Sequence, residues 1–240
     1  MRVFATDPQP CGYDRRDMTR PDAVFRDPTA ARAGGLSLLL GGPLVALPLL
    51  VHPLPSGGFE EDPGVLASTP LWGAIHVLIA MGCAWTALGA LLLVAAGGPR
   101  ASALERWAWG ATCIGMLFFS GVALVNAWVM HDLAARLAAD QAVEPTFAAF
   151  NGLLVGFGWL GNPLFLAGLT VIAALELADP RLGMPGWART GGLVVVVLSW
   201  GRGIGSALGV PALEALLVAN VPAFLWLAWV GWATARRVSA

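Results

Sequence analysis

Long apolar stretches alternate with short polar ones along this chain, and the apolar stretches have the length of membrane-crossing helices. After a polar leader they begin near Ala33, Pro70, Trp107, Phe147, Thr190 and Pro211. A bilayer core of roughly 30 Å takes about 20 helical residues to cross. The pattern therefore predicts an all-α, polytopic integral membrane protein, a bundle of about six transmembrane helices.

The first span is expected from about Ala33 to Val51, where Gly41, Gly42, Pro43 and Pro48 should kink it. The second runs from Pro70 to about Ala96, and the third from an interface marked by Trp107 and Trp109 to about Met130. Asp132 to Thr146 reads as a short amphipathic helix lying on the membrane. The fourth span, Phe147 to Leu175, carries Gly161, Asn162 and Pro163 near its middle and should bend or break there. The fifth covers Thr190 to about Gly209, and the sixth is opened by Pro211 and ends near Trp232.

Residues 1–32 interleave Arg2, Arg15, Arg16, Arg20, Arg26 and Arg32 with five aspartates and several prolines, a composition that cannot bury an apolar face. The expected division is a disordered cytoplasmic tail over 1–32, a six-helix domain over 33–235 and a short cytoplasmic tail over 236–240. The leader lacks the short apolar run of a cleaved signal. Met18 is a second candidate start.

Composition agrees with the pattern: 57% of residues are hydrophobic and only 12% charged, too apolar a balance for a soluble domain. The net charge of -1 offers no basic surface for nucleic acid. The arginines are placed by topology instead. Both tails and the turns holding Arg100, Arg106, Arg181 and Arg189 contain all of them except Arg136 and Arg202, so the positive-inside rule puts both termini in the cytoplasm of a plasma-type or inner membrane. The acidic stretch Glu60, Glu61, Asp62 then faces outward.

Polar residues inside the spans collect toward their outer halves, and intramembrane polarity usually faces a bundle interior or a wet cavity. A site for binding or passing a small solute or ion is expected around Arg202, Glu214, Asn162 and Asn220. Arg202 is the strongest candidate, because a charge within a span costs about 2.5 to 3.5 kcal/mol and requires a partner. Glu214, across the turn at Gly209 to Pro211, is within reach.

A second reading assigns haem or copper to His76, His131 and His52, which share the outer ends of the first three helices and would make the chain a redox subunit. Their spacing matches no ligand motif. Cys11, Cys83 and Cys113 form neither a CxxC pair nor a disulfide framework. A third reading is an accessory subunit that meets a partner helix or a second copy through Gly201, Gly205 and Gly209, at the four-residue spacing that lets helices approach. Leu40-Gly41-Gly42-Pro43-Leu44 echoes Leu160-Gly161-Asn162-Pro163-Leu164, a short internal likeness for which separate Gly-rich kinks suffice. Walker, nucleophile-elbow, zincin and dinucleotide motifs do not occur, and the polar segments are too short for a catalytic domain, so the chain does not read as an enzyme.

Overall fold

The computed structural model describes residues 25–52, 63–97, 101–208, 210 and 220–239. The described residues are all-α: α1 (Pro28–Val51), α2 (Pro63–Ser68), α3 (Trp72–Ala96), α4 (Ala103–Val125), a π-helical turn (Asn126–Met130), α5 (His131–Ala138), α6 (Glu144–Ala178), α7 (Gly186–Leu208) and α8 (Asn220–Ser239). Four stretches are long and apolar enough to cross a membrane: Pro28–Val51, Trp72–Ala96, Ala103–Ala138 and Glu144–Ala178. Their mean hydropathies are 1.9, 2.3, 1.9 and 1.6. This is a multi-pass membrane protein in contact with lipid.

The six long helices pack as a closed ring in chain order. α1 lies against α3, α3 against α4, α4 against α6, α6 against α7 and α7 against α8, and α8 returns to α1. Leucines such as Leu40, Leu47, Leu91, Leu117 and Leu160 are exposed on the outside, where hydrocarbon is their solvent. Small residues face inward and let the backbones close up.

Glycines seven residues apart, two helical turns, form these contact faces. Gly34 and Gly41 of α1 meet Gly89 and Gly82 of α3, while Gly35 and Gly42 on the adjoining face meet Gly231 and the Phe224 carbonyl of α8. A Cβ at Gly41 would sit 2.8 Å from the Gly82 oxygen and the Thr86 nitrogen. The α4–α6 pair repeats the device, with Gly168 seated on Thr112 as Gly41 is seated on Thr86, and Gly115 against Gly161. Of the two similar segments 40–44 and 160–164, Gly41 is seated on Gly82 and Thr86, and Gly161 on Gly115 and Phe118.

Several boundaries differ from expectation. α1 starts earlier, at Pro28, because Asp27 caps it by accepting from the Ala30 N–H at 3.0 Å with proline in the first turn. Arg26 and Asp27 donate their backbone N–H groups to the Ala96 carbonyl, tying residues expected to be tail to the end of α3. α1 and α6 run unbroken through Pro43, Pro48 and Pro163. The third helix does not stop at Met130: it continues through the π-helical turn into α5, whose Leu133 and Ala134 pack with Leu66 of α2, Trp72 and Phe147 in a cap over one end of the ring. The amphipathic character predicted for this stretch is present, with Arg136 and Asp132 paired at 2.9 Å on its exposed side.

At the other end, Arg181 in the α6–α7 turn meets Glu105 near the start of α4 at 3.0 Å, beside Phe25, Glu176 and Thr234. α7 is seated between α6 and α8, and Gly205 is buried there. Gly209, Pro211, Glu214, Cys11, Met18 and the acidic triplet Glu60, Glu61, Asp62 lie outside the described residues.

Candidate functional site

The ring encloses a cavity of about 160 Å³ in the half nearer the α2–α5 cap, and every long helix contributes to its wall. α1 supplies Val45, Leu49 and, at its C-cap, His52; α3 supplies His76, Ile79 and Cys83; α4 supplies Phe119, Val122 and Ala123, followed by Asn126. α6 adds Leu154, Gly158, Asn162 and Phe165, α7 adds Arg202, and α8 adds Asn220 and Phe224. Residues from both the solute and the histidine readings, drawn from separate helices, therefore meet around one space.

The aromatic part of the wall is tightly built. Phe165 stacks on Phe224 with ring centroids 5.3 Å apart and meets Phe119 edge-on at 6.2 Å. Asn162 is buried, and its amide nitrogen lies 2.8 Å from where a Cβ at Gly203 would stand. Glycine at 203 thus allows α7 to approach Asn162, which brings the partly buried Arg202 to the cavity. Among the described residues Arg202 is the charged side chain that lines this space, and no aspartate or glutamate does.

The rim of the cavity toward the α2–α5 cap is a cluster of three rings. His52 Nε2 lies 3.2 Å from His76 Nε2, and Trp72 flanks both, at centroid distances of 5.1 and 4.3 Å. Trp72 is 1% exposed and donates its indole N–H to the Asn126 carbonyl at 3.1 Å. That carbonyl opens the π-helical turn, a local distortion that recurs at functional sites.

One turn after Trp72, His76 places Nδ1 3.0 Å from the Trp72 carbonyl. A carbonyl only accepts, so Nδ1 carries a proton and donates it, and the neutral ring turns the Nε2 lone pair toward His52. His52 Nε2–H is then the donor between the two rings.

Of the seven residues predicted for the site, Arg202, Asn162, Asn220, His76 and His52 line the cavity. His131, the first residue of α5, does not, and Glu214, with its predicted pairing to Arg202, lies outside the described residues. Linear ligation of a haem iron would hold the two imidazole nitrogens about 4 Å apart across a flat macrocycle. The 3.2 Å pair does not fit it.

Sequence reasoning missed Trp72, since a tryptophan near a span end reads as an interfacial anchor; its spacing of four from His76 was the available signal. Trp85 and Trp159, though deep in their spans, are 40% and 45% exposed on the outside of the ring. No family model, no curated protein and no solved structure matches this chain.

Proposed function

We propose that this protein crosses the membrane six times, with both termini in the cytoplasm, and binds or passes a small anionic solute in the outward half of its ring. The single observation that carries the reading is the convergence of Arg202, Asn162 and Asn220, from three different helices, on one cavity of about 160 Å³. Arg202 supplies the charge, and amide groups on α6 and α8 can complete the hydrogen bonds of a carboxylate or similar oxyanion. The arginine arrangement in the sequence supports the orientation, and the ring supports α7 and α8 as the fifth and sixth spans. Its volume suits a solute of a few heavy atoms. Association through Gly201, Gly205 and Gly209 has less support, since Gly205 is already buried within the chain's own fold.

The test is thermal unfolding of the detergent-purified protein with formate, acetate, bicarbonate, nitrate or phosphate. A ligand present at about 100 times its Kd adds about 2.7 kcal/mol of stability. At least one anion should raise the wild-type melting temperature, and Arg202→Ala should remove the rise while still folding. If no anion shifts the wild type and Arg202→Ala only lowers the yield of folded protein, the arginine serves packing and the proposal fails.

A further inference from the structure

We propose that His52 and His76 form a two-histidine site for an imidazole-preferring transition-metal ion, Cu²⁺ or Zn²⁺, at the rim of the cavity toward the α2–α5 cap. The pair stands on its own geometry and does not rest on the anion reading.

The separation fits a shared ion. With metal–nitrogen bonds of about 2.0 to 2.1 Å, nitrogens 3.2 Å apart subtend about 100° at the ion, near the tetrahedral angle. The ring placement is compatible with this. Two lone pairs aimed at one ion put the imidazole centroids about 5 Å apart. The observed centroid distance is 4.9 Å, with the planes at 67°.

The surroundings are those of a held ligand. The Trp72 carbonyl fixes the His76 tautomer and aims its Nε2, the outer-sphere arrangement that metal-bound histidines almost always have. Trp72 is in turn held by the Asn126 carbonyl, so the carbonyl cannot drift without breaking a buried contact. When the ion enters, it replaces the proton between the rings, and His52 carries that proton on Nδ1 instead, leaving both rings neutral.

Among the described residues no three His, Cys, Asp or Glu side chains converge. On the cavity side, water or a small anion can take further coordination positions. Imidazole nitrogen favours Cu²⁺ over Zn²⁺ in the affinity order of divalent ions.

The experiment uses the full chain in detergent, stripped of metal and titrated with CuSO₄, with electron paramagnetic resonance as the readout. One equivalent should bind with nitrogen hyperfine structure from two imidazoles. His76→Gln and His52→Gln should each weaken binding at least tenfold and remove the two-nitrogen pattern, with Zn²⁺ competing at the same site. His131→Gln should leave affinity and spectrum unchanged, and Arg202→Ala should retain the two-nitrogen pattern even if anion binding is lost. Binding that survives both pair variants, or is abolished by His131→Gln, would overturn the assignment. So would a folded wild type that takes up no copper at tens of micromolar.

Discussion

Trp72 does most to position the rim of the cavity. It touches both histidines, orients one through its carbonyl, and is itself fixed by the carbonyl that begins the π-helical turn. Trp72→Phe keeps an aromatic ring but removes the indole donor and some packing volume. It should cost roughly 1 to 2 kcal/mol in unfolding experiments in detergent and broaden any copper spectrum, because His76 loses its fixed support. At this scale the sequence was informative where a residue type is costly in lipid. Arg202, Asn162 and His76 announce themselves as polar groups inside apolar spans, and all three reach the cavity. Trp72 was less legible, since a tryptophan near a span end is equally at home in the interface. The separation of His131 from the other two histidines depends on how the third helix is prolonged past Met130, which no residue-level rule states.

Between elements, the glycine faces set the architecture. In lipid, helices gain nothing by hiding leucine from solvent, so close backbone approach must supply the packing. Gly41→Ala places a methyl carbon 2.8 Å from two backbone atoms of α3 that cannot swing away. A loss of about 1 to 3 kcal/mol is expected. Gly156 on α6 has nothing within 4 Å of its Cβ position, so Gly156→Ala should be neutral or stabilising by about 0.5 to 1 kcal/mol through lower chain entropy. Paired melting curves of the two variants check the contrast; equal effects would mean that helix propensity, not contact, governs both. Helix existence was readable from hydropathy, but helix continuity was not. Pro43 and Pro48 suggested a kink and Pro163 a bend or break; α1 and α6 continue as helix through all three, because neighbouring helices can support a helix across a missing N–H. The seven-residue glycine spacing was present in the sequence throughout; which face meets which neighbour emerges only once the ring closes.

For the whole molecule, the chain's direction alternates from helix to helix around the ring, so the α2–α5 cap and the Arg181–Glu105 contact occupy opposite ends. Single cysteines in a background with Cys11, Cys83 and Cys113 replaced by alanine test the orientation. A membrane-impermeant maleimide added to intact cells should label Gln141→Cys beyond α5 and should reach Gly183→Cys in the α6–α7 turn only after permeabilisation; the reverse pattern would invert the proposed topology. Ring closure has a further consequence for biogenesis. Five of the six helix contacts join chain neighbours and can form as soon as the second partner leaves the ribosome. The sixth joins α1 to α8, so Gly35 and Gly42 stay without Gly231 and the Phe224 backbone until α8 has been made. During synthesis α1 therefore presents a small-residue groove that only lipid, an insertion factor or a second nascent chain can fill. α8 acts as a latch, and its arrival completes the cavity wall that Asn220 and Phe224 provide.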